Sequence, residues 1–190
     1  MIPFHAVPDR LEKHRVALVV IDIQERFRDL LHDQDQLLRG STRLIRAFRE
    51  LEMPVVVTEH YSRGLGVTMP EIRGLIGGIE PLEKIHFSCD GDPGFRQAID
   101  ALNRDQIILC GIETHVCVYQ TARDLMDRGK QVAVASDAVT SQRAADRDIG
   151  FAHLRQIGAQ VMSVEMILFE ILREAKTADF KAIAPILKGG

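Results

Sequence analysis

The stretch Ile108–Gly129, ILCGIETHVCVYQTARDLMDRG, decides how this chain folds. It opens inside the apolar run Gln106–Cys110 (QIILC), whose apolar residues stand on consecutive rather than alternate positions. That pattern belongs to a parallel strand covered on both faces. Gly111 then supplies a sharp turn, and Thr114, a good N-cap residue, opens a helix. Val118, Ala122 and Leu125 follow at helical spacing and face the sheet, and Gly129 closes the helix as a C-cap. Cys117 falls in the first turn of that helix. There the positive end of the helix dipole favours a thiolate and lowers its pKa.

The same alternation runs outward in both directions. Strands are expected at Val16–Ile21 (VALVVI), Val55–Thr58 (VVVT), Val132–Ser136 (VAVAS) and, more weakly, Ala159–Ser163. Helical patterns lie between them at Gln36–Glu52, Gly94–Asn103, Thr114–Arg128, Ala144–Ile157 and Val164–Glu174. These elements predict an α/β fold of three layers, α/β/α. It is a Rossmann-like, mostly parallel sheet with helices on both faces. The segment Glu59–Asp92 is different: rich in Gly and Pro, weakly periodic, and long for a plain connection, which marks a loop that is either functional or disordered. No repeat, low-complexity tract or linker divides the chain, so residues 1–190 are read as one domain.

Composition narrows the function. A net charge of -3 and no basic stripe speak against a nucleic-acid partner. The longest apolar run, VALVVI, falls far short of the ~18 residues of a membrane span. The N-terminal MIPFHAVPDRLEKHR lacks the apolar core of a secretory signal. Three scattered cysteines make no disulfide framework, so a cytoplasmic location is expected.

Ligands of open α/β sheets bind outside the carboxyl ends of the strands. Asp22 ends the run VALVVID and is followed by Gln24 and Phe27; it is either an N-cap or a functional carboxylate. Cys117 is either a small buried hydrophobe or an activated nucleophile. Two backbone N–H groups beside such a nucleophile would form an oxyanion hole. Cys110, embedded in its strand, reads as inert. Lys84, in PLEKIHFSCD, reads on its own as a surface lysine, and His86 and Cys89 as either pocket-lining or space-filling. Phe27, Tyr61 and Phe87 are placed to line a pocket, and Asp137 to tie down the loop AVTSQ after it.

Together, DIQERF after a buried strand, the lysine of EKIHFS, and CGIETHVCVYQTARDL resemble the isochorismatase-like cysteine hydrolase family. The likeness runs from about Arg15 to Ala175, with the motifs in the family's order. VTEHYSRGLG followed by MPEI is most similar to a divergent branch with a T-E-Q-Y-P-like segment. The resemblance implies a triad: Asp22 as general base, Lys84 as the cation that positions base and sulfur, and Cys117 as nucleophile. It also implies a non-proline cis peptide at Ile112–Glu113, which would aim the Glu113 N–H to join that of Cys117 as an oxyanion hole.

The expected activity is metal-independent cleavage of a C–N, amide-like bond of a small molecule through a Cys117 thioester. Nicotinamidases of the family hold a metal partly through an Asp-x-His pair. His60 and Ser62 stand at the matching positions, so no metal or other cofactor is expected. The isochorismate-cleaving branch, which splits a vinyl ether, does not need the cysteine. A thiol redox sensor is a further alternative, but it wants a resolving cysteine, and Cys110 is poorly placed for that. The family resemblance also implies a homo-oligomer.

Overall fold

The computed structural model describes residues 8–188 of the chain. The stretch read against a secretory leader lies partly outside them. Six strands form one sheet in the order β3-β2-β1-β4-β5-β6. They are β1 (Val16–Ile21), β2 (Val55–His60), β3 (Leu82–Lys84), β4 (Gln106–Ile112), β5 (Gln131–Thr140) and β6 (Gln160–Met162). Every neighbouring pair is parallel, so the sheet expected to be mostly parallel is wholly so.

Alternation within β1 shows how the layers arise, because successive side chains point to opposite faces of a strand. Val16, Leu18 and Val20 join one core, with Leu44 and Phe48 of α1 (Gln34–Glu50) and Ile167 and Leu168 of α7 (Val164–Leu172). Ile183 of α8 (Ala178–Leu187) completes that face. Ala17, Val19 and Ile21 join the other core. It holds Phe95 and Ile99 of α4 (Pro93–Ala101), Ala122 and Leu125 of α5 (Tyr119–Asp127) and Leu154 of α6 (Ala144–Gln156). The expected three-layer architecture follows from this two-sided burial.

Helix starts are set by local polar groups. The Asp92 carboxylate accepts from the Gly94 and Phe95 amides ahead of α4, with Pro93 at the first position. Ser163 and Thr177 cap α7 and α8 in the same way.

Three local expectations change. Glu59–Asp92 is more structured than its sequence suggests: it contains the end of β2, the short helices α2 (Ser62–Leu65) and α3 (Pro70–Arg73), and β3. A three-residue edge strand is too short to show a period. Thr114 is not an N-cap, since Glu113 is the extended boundary residue and Thr114–Val118 forms a π-helical turn before α5. Asp137 lies within β5 and does not hold its own loop; its carboxylate accepts from the Val164 amide at 2.7 Å and anchors the start of α7.

Gly111 is required by the sheet. Its φ is +118°, and a β-carbon there would stand 2.0 Å from the Ile21 carbonyl oxygen of β1. Gly111→Ala is therefore expected to cost about 3 kcal/mol or more, through strain and clash together. Urea unfolding checks it; a loss under about 1 kcal/mol, within the range of an ordinary surface change, would contradict the close approach.

Candidate active site

Strand order reverses at β1, which sends the chain to β2 on one side and pairs with β4 on the other. The crevice at the carboxyl ends of β1 and β4 is the topological switch point. Asp22 follows β1 directly, and Cys117 lies in the turn after β4. Lys84 arrives from the end of β3, and its side chain crosses the end of β2 to meet them.

The carboxylate of Asp22 is fully engaged. Oδ2 accepts from Lys84 Nζ at 2.6 Å and Oδ1 from Thr58 Oγ1 at 2.7 Å. Its side chain is 3% exposed and that of Lys84 is 1% exposed, so the ion pair is sealed from water. The N-cap alternative for Asp22 does not hold: Gln24 precedes the short turn Glu25–Phe27. The ammonium also donates to the carbonyls of His86 (3.1 Å) and Phe87 (3.3 Å) and reaches Cys117 Sγ at 3.8 Å. The surface-lysine alternative fails too, because Lys84 is the hub of the crevice.

Charge states follow from burial. Burial pushes the Cys117 thiol well above its ordinary pKa, and the Asp22 carboxylate adds to this against the opposing pull of Lys84. The sequence expectation of a lowered pKa is therefore corrected. The helix-end field is outweighed by desolvation and a neighbouring anion. The resting sulfur is a thiol. Burial works against the Lys84 ammonium, but negative charge at Cys89, Asp22 and Cys117 raises its pKa above the ordinary value. With both thiols protonated near neutrality, Asp22 is the anion that keeps Lys84 charged. Burial and the nearby Lys84 lower His60, so its ring is neutral at pH 7.

A cavity of about 280 Å³ opens over the thiol. Asp22, His60, Glu113, Cys117 and Gln142 line it with Phe27, Leu65, Phe87, Ile112 and Val116. Phe27 and Phe87 are thus where the sequence places them, and the Phe87 ring stacks on His60 at 5.5 Å. Tyr61 is not. Its ring lies over Gly64, and the residue is half exposed, away from the lining. The peptide bond Ile112–Glu113 is cis, as the family resemblance implies. His60 was missed as a lining residue, although its place at the end of β2 is the same signal that exposed Asp22. Gln24 ties that end down, accepting from the His60 amide (2.7 Å) and donating to the His60 and Gly66 carbonyls.

The positions matching the nicotinamidase metal pair do not suit a metal. His60 Nδ1 sits 3.4 Å from the Lys84 ammonium, and the Ser62 hydroxyl donates to Glu83. Among the described residues no group of three or more His, Cys, Asp or Glu is arranged to hold an ion.

Cys89 and Cys110 are fully buried, and burial pushes each up to about 12 from 9.0. Above pH 9 the unfolded chain releases thiol protons that the folded chain keeps, so stability falls as pH rises. Each thiol costs about 1.4 kcal/mol per pH unit in that window. Cys110→Ala is expected to flatten the fall between pH 8.5 and pH 10.5 by about 2 kcal/mol in urea unfolding. Equal slopes in both proteins would contradict the assignment.

Residues 16–166 match the model of the Isochorismatase domain. Isochorismatase domain-containing protein 2B of Mus musculus is 38% identical over 172 residues, which cover 90% of this chain and 80% of that protein. A secreted isochorismatase effector, Isc1 of Phytophthora sojae, is 37% identical over 183 residues, covering 94% of this chain and 87% of that one. Among solved structures, a protein of Caenorhabditis elegans described as MAR1 ribonuclease superposes with a TM-score of 0.89 at 32% identity. The match covers 95% of this chain and 93% of that one. With the parallel sheet and an Asp–Lys–Cys cluster at its switch point, this chain belongs to the isochorismatase-like hydrolase family.

Proposed function

We propose that the protein is a metal-independent cysteine hydrolase that cleaves a C–N, amide-like bond of a small molecule. The observation that carries this reading is the placement of Lys84 Nζ, 2.6 Å from Asp22 and 3.8 Å from Cys117 Sγ, beneath a largely apolar cavity. Asp22 acts as general base and takes the thiol proton as sulfur attacks the carbonyl carbon. The raised thiol pKa requires this step, because no standing thiolate exists at neutral pH. Lys84 holds Asp22 in place and balances the charge that grows on sulfur. The backbone N–H groups of Glu113 and Cys117 receive the oxyanion. The tetrahedral species collapses, and the C–N bond breaks. The amine leaves with the proton from Asp22, and the acyl group stays on Cys117 as a thioester. Asp22 then deprotonates a water that attacks the thioester, and the acid departs as the thiol regains its proton.

Phe27 and Phe87 contact the substrate's apolar part. The redox alternative is weaker. Cys110 packs into the core on the opposite face of the sheet from Cys117, and the Cys89 thiol is enclosed and protonated. The three cysteines are unpaired, which supports a reducing cytoplasm for this chain although the Phytophthora relative is named as secreted. Exposed Met166 and Phe169 on α7 support association into a homo-oligomer. A screen of small amides, carbamates and ureas, with Cys117→Ala as control, tests the reading. Turnover lost in the variant supports it, and turnover by the variant at the native rate rules it out.

A further inference from the structure

The charge of the cavity is one-sided. Asp22 and Glu113 are its acidic lining residues, the first balanced by Lys84 at 2.6 Å, and no arginine or lysine is among the lining residues. His60 is neutral near pH 7. Lys84 lies underneath, and its three N–H groups already have three oxygen acceptors within 3.3 Å: Asp22 Oδ2 and the carbonyls of His86 and Phe87. Glu113 has weaker compensation. Its Oε1 accepts from Gln142 Nε2 at 2.7 Å, and its Oε2 stands 3.5 Å from His115 Nδ1, which is itself 2.9 Å from Ser141 Oγ. Arg143 acts on Glu113 only at longer range. Its guanidinium is spent on Asp146 at 2.6 Å, and its side chain is 79% exposed.

A ligand carboxylate entering this space would meet the Glu113 carboxylate, which lacks a charged partner as close as the Lys84 that balances Asp22, and no free guanidinium, the group that normally recognises it. A ligand cation or N–H donor would meet Glu113. The rest of the wall, Phe27, Leu65, Phe87, Ile112 and Val116, is apolar. We infer that this cavity selects a small apolar-bodied ligand that is uncharged or cationic, with its donor group toward Glu113, and that it turns away carboxylate-bearing molecules. In substrate terms, which rest on the hydrolase reading above, these are neutral or amine-bearing amides rather than the carboxylates that an isochorismate-type reaction consumes.

The test labels Cys117 with methanethiosulfonates carrying 2-aminoethyl, ethyl or 2-sulfonatoethyl groups, followed by tandem mass spectrometry at low salt. Each rate is divided by that of a small free thiol. The cation should react at least about 10-fold faster than the anion, and added salt should narrow the ratio. Glu113→Gln should reduce the ratio several-fold. In parallel, 4-(aminomethyl)benzamide and benzamide should be cleaved in preference to 4-carbamoylbenzoate. Equal or faster labelling by the anion in the native protein overturns the inference, as does an unchanged ratio in a folded Glu113→Gln protein. If no amide is cleaved yet the labelling ratio holds, the hydrolytic reading falls while the charge selection stands.

Discussion

Cys117→Ala is expected to lower kcat/KM on any amide the native protein cleaves by about 10⁴-fold or more, since removing the nucleophile of a covalent mechanism removes the pathway. The fold should survive. The residue is small, 8% exposed, and borders the cavity at the margin of the core. Cys117→Ser should be nearly as inactive, because Asp22 would have to take a proton from a far weaker acid. Circular dichroism and steady-state kinetics on the same preparations separate lost chemistry from lost structure. Unchanged turnover in Cys117→Ala would mean that water attacks the amide directly, without a thioester, and would overturn the covalent reading.

Lys84→Met is expected to damage both stability and activity. The ammonium and the Asp22 carboxylate are each at most 3% exposed, and they pair at 2.6 Å. Removing one partner leaves a buried, uncompensated charge, which costs about 3–5 kcal/mol. Thr58 still donates to Asp22 Oδ1, but one neutral hydrogen bond does not replace an ammonium. Adding Asp22→Asn to Lys84→Met should recover much of the lost stability, because the unpaired charge is then gone, while activity stays absent. Urea unfolding of the four proteins of this cycle measures the coupling. Additive losses, with no recovery in the double variant, would show that the two groups do not act as a pair.

How much of this was legible beforehand depends on what each residue stands next to in the chain. β1 and β4 are long, apolar and wholly buried, so their ends could be located, and with them Asp22 and Cys117. Lys84 had no such marker. It ends a three-residue edge strand inside an irregular segment, and only the family resemblance singled it out. The burial that makes it a partner of Asp22 comes from Thr58 and Cys117, distant in the chain, closing around it together with the His86–Phe87 bend just after it. The resting charge of Cys117 was misread for a related reason. Helix-end fields can be read from local sequence, whereas desolvation and the approach of Asp22 exist only in the folded chain. Tyr61 was placed by proximity to β2, but its left-handed backbone (φ +41°) accompanies a turn away from the cavity. The Glu113 carboxylate was hidden behind its expected backbone role.

Capture of the covalent intermediate is the most direct measurement of the central claim. The native protein is mixed with a cleavable amide, quenched in acid within milliseconds to seconds, and weighed intact, with the modified residue located by fragmentation. The account predicts an added acyl mass on Cys117 that decays with water and is intercepted by hydroxylamine. Steady turnover with no acylated sulfur at any time, in a protein whose Cys117→Ala variant is equally active, would contradict it.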